Sequence, residues 1–135
     1  MMKRLWSVLL LLGVLGGCGV DDGGETPTTM VDGTRQVFRF QSEATAPVAE
    51  GVNAFTLGVK RKADDAAVTA ATVRVRAFMP AHAHDSPTTP VVEERGEGNY
   101  QVTNVSFSMA GDWEVTYTVT QGMDEDTATF LYTVQ

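Results

Sequence analysis

The chain has 135 residues, with 17 Asp and Glu against 10 Lys and Arg and a formal charge of −7 at pH 7. That balance excludes nucleic acid and anionic lipid headgroups as electrostatic partners and is compatible with cations. The length suits one domain, and a single cysteine excludes an internal disulfide framework.

Residues 1–17 read as a lipoprotein signal peptide. Lys3 and Arg4 supply the positive start, and Leu5 to Leu15 form an apolar run too short to span a bilayer. Leu15-Gly16-Gly17-Cys18 resembles a bacterial lipobox. The resemblance implies cleavage before Cys18 and acylation of its thiol and new amino group, so that the mature chain hangs by lipid from a membrane. Gly19 is not the aspartate that marks inner-membrane retention in some proteobacterial lipoproteins, which points to the periplasmic face of the outer membrane. An exported domain has no ATP or NAD at hand, and acylation leaves no free thiol. Loss of residues 1–17, with their two basic side chains, leaves 118 residues and a formal charge of about −9.

Residues 18–34 are rich in Gly, Thr and acid and carry almost no large apolar side chains, so they are expected to form a lipidated flexible tether. From Arg35 to the end, residues 35–135, the hydrophobic period is two, the signature of strands, and no amphipathic helix is visible. Val37, Phe38 and Phe40 mark a first strand, and Asn53 to Lys60 place Phe55, Leu57 and Val59 on one face. Arg61 to Ala67 read as a charged turn. In Thr72 to Met79, Val73, Val75, Ala77 and Met79 face inward while Arg74 and Arg76 face water, and Pro80 ends the strand. Val91 to Arg95 form a short strand before a Gly96-Glu97-Gly98 turn. The phase then slips from even (Tyr100, Val102) to odd (Val105, Phe107, Met109), which requires a bulge near Thr103-Asn104. After the Gly111-Asp112 turn, Trp113, Val115, Tyr117 and Val119 form an inward row. Gln121 to Asp126 read as a solvated acidic turn, and Phe130, Tyr132 and Val134 close the chain. About seven short strands in about 100 residues point to an all-β, immunoglobulin-like antiparallel β-sandwich. Its expected core is Phe55, Leu57, Val73, Val75, Tyr100, Phe107, Trp113, Val115 and Tyr117.

Chemistry concentrates in Met79-Pro80-Ala81-His82-Ala83-His84-Asp85, which holds both histidines of the chain. In an extended segment residues two apart project the same way, so His82 and His84 can offer two imidazoles to one ion. Met79 and Met109 are candidate soft ligands, and Asp85 is a candidate either to orient a histidine or to serve as a hard ligand. Imidazole with thioether suits copper, and zinc less well. Such a site would lose metal below about pH 6 as imidazoles protonate. Met79 and Met109 are both in phase with inward residues and read first as core, while a turn-stabilising role for the histidines follows as readily from the pattern as a metal site. Trp113 reads as a core anchor.

Gly51-Val52-Asn53-Ala54-Phe55-Thr56-Leu57, the Ala71–Val75 strand running into Met79-Pro80-Ala81-His82-Ala83-His84, Gly98-Asn99-Tyr100 and Val105 to Trp113 together resemble YtkA-like domains and, more distantly, FixH-like domains. The resemblance covers roughly residues 47–120. It implies an immunoglobulin-like sandwich in an exported or membrane-attached protein, of a kind sometimes found beside copper and heavy-metal handling proteins. Ala81 and Ala83 stand where the family pattern often has Gly and Met.

No nucleophile elbow, glycine-rich phosphate loop, paired carboxylates with an evident cleft or three-His zinc motif is present, so a non-enzymatic module is expected. Two functions remain open: an interaction or scaffolding domain with an envelope protein partner, and a metal-binding lipoprotein that uses His82, His84, Met79 and Met109.

Overall fold

A computed structural model describes residues 30–135. The expected signal peptide, the expected lipidation site Cys18 and most of the expected tether lie outside the described residues. The strands are β1 (Val31–Asp32), β2 (Phe38–Ala44), β3 (Gly51–Arg61), β4 (Thr72–Met79), β5 (His84–Asp85), β6 (Val91–Gly96), β7 (Asn99–Phe107), β8 (Gly111–Gln121) and β9 (Asp124–Val134). They form two antiparallel sheets, β1-β2-β3-β7-β6 and β5-β4-β8-β9, packed as an immunoglobulin-like sandwich. The two strands beyond the expected seven are the two-residue β1 and β5.

β1 sits in sequence that composition assigns to the tether. Val31 pairs with Phe40 and Asp32 with Arg39, and the Asp32 carboxylate holds Lys62 at 2.7 Å and Arg39 at 3.3 Å. The ordered fold therefore begins before Arg35. Every strand and every core residue of the described part lies within 31–134, so a chain starting at residue 26 carries the complete sandwich.

Alternation buries Phe55, Leu57, Tyr100, Phe107, Trp113, Val115 and Tyr117 as the pattern requires, each at most 1% exposed. Val73 and Val75 are only half-buried. β5 pairs with β4 only at Phe78 and Met79, so the first part of β4 has an open edge and its valines line the margin of the core. Phe38, Phe40, Val59 and Val68 add to the interior. Val68 enters it because the Arg61–Ala66 turn closes on itself, with the Arg61 amide donating to Ala66 O and the Asp65 amide to Arg61 O. Tyr100 locks that segment in place: its hydroxyl donates to Val68 O at 2.8 Å and accepts from the Ala71 amide at 3.3 Å.

The bulge is where the phase slip requires it. Asn53 pairs with Val105 but Phe55 with Val102, so β7 carries one extra residue, and Asn104 takes a left-handed φ of 58°. Thr88 donates its hydroxyl to Asn104 O at 2.6 Å, and the Asn104 amide side chain donates to Thr89 O at 2.9 Å.

The acidic run is not a solvated turn. β8 and β9 turn at Gly122-Met123, and Asp126 is fully buried on the inner face of β9. Its carboxylate accepts backbone N–H bonds from Arg35 at 2.7 Å, Val37 at 2.8 Å, Phe38 at 3.0 Å and Thr127 at 2.8 Å. Burial pushes this carboxyl up, but the donors at Phe38, Arg35, Val37 and Thr127 together outweigh burial and hold it below the usual carboxylate range. The group clasps the start of β2 in one sheet to β9 in the other. Gly33 is required beside it, because a Cβ there would stand 2.1 Å from the carboxylate oxygen.

Candidate functional site

The histidine segment is a tight hairpin at one end of the sandwich. Pro80, with fixed φ and no N–H, opens a single 3-10 turn over Pro80–His82. Ala83 then takes a left-handed conformation, φ 51°, and donates its amide to Pro80 O at 3.3 Å. The reversal returns β5 onto the end of β4, pairing Met79 with His84 and Phe78 with Asp85. The segment is therefore not extended, as spacing alone suggests, yet the turn brings the imidazoles together: their ring centroids are 6.1 Å apart and the planes 40° apart.

Residues opposite each other in an antiparallel ladder share a face. His84 accordingly stands on the same side as buried Met79, half-buried and edge-on to the Trp113 indole at 5.4 Å between centroids. Trp113 is fully buried, stacks against Phe107 at 5.2 Å and donates its indole N–H to Met109 O at 3.0 Å. This is the core anchor that the sequence implies, with a second use: it is the floor under His84. His82 is exposed.

The His84 Nδ1 lies 3.2 Å from the carbonyl oxygen of Asp85. A carbonyl only accepts, so the neutral ring that makes this bond carries its proton on Nδ1 and leaves the Nε2 lone pair available. That is the arrangement by which metal-ligating histidines are commonly held. It is the Asp85 backbone, not its side chain, that orients the ring. The Asp85 carboxylate faces away and pairs with Arg76 at 2.6 Å, whose guanidinium lies 4.4 Å over the Phe78 ring.

The methionines divide differently from the histidines. Met79 is 1% exposed, and its methyl carbon packs so closely against Gly111 that a Cβ there would stand 2.9 Å away, so its thioether serves the core. Met109 is half-buried against the core, and its carbonyl supports Trp113. The structure thus gathers His82 and His84, puts Met79 in register beneath His84, and joins Met109 to the group through Trp113.

Two imidazoles that ligate one ion at about 2.0 Å per nitrogen fit ring centroids 6.1 Å apart. Among the described residues no group of three or more His, Cys, Asp or Glu side chains is placed to hold a metal. A closed tetrahedral zinc site needs four such donors. Imidazoles alone do not choose between copper and zinc, but two donors suit a low-coordinate Cu(I) ion and leave Zn(II) short of its four. Elsewhere, a shallow groove of about 420 Å³ lies between Thr45, Pro47, Val52, Asn53, Thr103 and Asn104, with no titratable side chain in its lining.

Among solved structures, the crystal structure of a DUF4426 family protein from Pseudomonas aeruginosa PAO1 is similar, with a TM-score of 0.52 at 12% identity over 73% of this chain and 90% of that one. A likeness at that identity is one of fold. No curated protein matches the chain. The YtkA-like family model matches residues 25–118, a span that contains both histidines, Met79, Met109 and Trp113. The chain belongs to the YtkA-like family.

Proposed function

We propose that this protein is a non-enzymatic, lipid-anchored binding module of the bacterial cell envelope, and that its ligand is a metal ion, copper in the low-coordinate Cu(I) state ahead of zinc, held by His82 and His84. The observation that carries the reading is the pairing itself: two imidazoles 6.1 Å apart, one with Nδ1 tied to a backbone carbonyl and Nε2 left open. A turn-stabilising role would account for the His84 bond. It gives no account of His82, whose exposed ring pairs with that of His84. The acidic surface favours cations over anionic partners.

Trp113 gives the test an internal probe. The chain has two tryptophans, and Trp6 precedes residue 26, so selective tryptophan excitation of residues 26–135 reads Trp113 alone. Copper bound by His84, whose ring touches the indole, is expected to quench that emission with saturation at one equivalent. The quench should disappear in His84→Ala and weaken in His82→Ala. Equal, unsaturable quenching in parent and both variants would remove the metal reading and leave the domain as an interaction module.

A further inference from the structure

Four strands stand at sheet edges in this fold, and three are blunted. β1 and β5 have two residues each, and β6 presents Glu93, Glu94 and Arg95 before an irregularity at Gly96. Short strands, charges and bulges are the usual devices that stop edges from pairing with other chains. The last eight residues of β9 have none of them. From Thr127 to Val134 it reads Thr-Ala-Thr-Phe-Leu-Tyr-Thr-Val, with no charge, no Pro and no Gly, and Leu131 is 65% exposed.

The free edge can be assigned residue by residue. The Thr34 amide donates to Thr127 O from outside the sheet, so Thr127 turns its backbone groups outward. In an antiparallel ladder the outward residues then continue as Thr129, Leu131 and Thr133. Among the described residues no strand pairs with β9 on that side. The row is symmetric about Leu131, with a threonine two residues away in each direction, and Phe130 and Tyr132 flank it on the inner face.

We propose that this edge is a homodimer seam, on which β9 of a second copy pairs antiparallel about a two-fold axis at Leu131. Leu131 then meets its own counterpart, Thr129 meets Thr133, Phe130 meets Tyr132, and the two β9-edged sheets become one. A second copy is the occupant that the symmetric row matches without any charge to select another partner, since an isologous seam must be self-complementary. The acidity of the chain does not oppose it. The carboxylate nearest Leu131 across the sheet is Glu114 on β8, and two copies of Glu114 would stand three strand spacings apart, about 14 Å. That exceeds the screening length of about 8 Å at physiological salt. His84 lies on β5, at the opposite edge of the sheet, so the seam is independent of the metal site.

Sedimentation velocity of residues 26–135 up to about 0.2 mM tests the proposal, with Leu131→Lys as the disrupting variant. Leu131 is exposed, so the lysine leaves the core untouched, and far-UV circular dichroism checks the fold. The parent is expected to dimerise, and Leu131→Lys to raise the dissociation constant at least about 100-fold, since it sets like charges face to face. Leu131→Cys should form a disulfide dimer, because paired Cα atoms about 5.5 Å apart lie within disulfide reach. Thr116→Cys, one strand further in, should not. A parent that stays monomeric, a dimer that Leu131→Lys leaves intact, or a dimer that Leu131→Cys fails to cross-link would overturn the seam.

Discussion

Asp126→Ala is expected to cost about 3–5 kcal/mol, through backbone donors left without their acceptor. The carboxylate is fully buried and takes four backbone N–H bonds, three of them from the Arg35–Phe38 segment that opens β2. Without it the first part of the chain loses its attachment to β9. Asp126→Asn keeps the shape but turns a donor toward donors, and it should cost nearly as much. The same group makes stability depend on pH. Its folded pKa is lowered, so its contribution is present above the unfolded value of about 4 and is lost as pH falls through the folded value. Urea midpoints measured between pH 7 and pH 2 should therefore drop more steeply in the parent than in Asp126→Asn. Asp32, lowered chiefly by its Lys62 hydrogen bond, titrates in the same window in both proteins, so the difference between them isolates Asp126. Parallel profiles would contradict the clasp.

Trp113→Ala should be the second most damaging change, at about 3–5 kcal/mol for a fully buried aromatic. It removes the ring that Phe107 stacks on, leaves Met109 O without its donor and takes the floor from beneath His84. Trp113→Phe keeps most of the packing and loses the indole hydrogen bond, so a cost of about 1 kcal/mol is expected. Denaturant unfolding of the two variants separates packing from hydrogen bonding. If Trp113→Phe proved as damaging as Trp113→Ala, the Met109 bond rather than the ring would be holding this end of the sandwich.

Period-two alternation carries most of this fold. It fixes which side of each long strand is inward, and the phase slip between Val102 and Val105 is enough to locate the Asn104 bulge. Short features escape it. β1 offers one apolar residue, Val31, in polar surroundings, and Val68 follows a charged turn that gives no sign of closing. Asp126 was within reach, because it is in phase with Ala128, Phe130, Tyr132 and Val134, yet a run of three acids reads first as surface. Three of its four donors come from residues about 90 positions away, beyond any local pattern.

The histidine site was legible by identity and not by geometry. Spacing two brings the imidazoles together only in an extended chain, whereas here a 3-10 turn and a left-handed Ala83 do so. The phase of Met79 with Ala77 already argues for a core role, and its burial agrees. The contact of Trp113 with His84 depends on β5 folding back onto β4, which two residues of sequence cannot announce.

The central claim is that His82 and His84 form one metal site. Competition of residues 26–135 for Cu(I) against a chromophoric chelator, beside a His82→Ala/His84→Ala double variant and with Zn(II) and Cu(II) as comparison ions, tests it most directly. One equivalent bound tighter than about micromolar by the parent, preferring Cu(I) and lost in the variant, is the predicted result. Weak binding of the same strength in both proteins would contradict it.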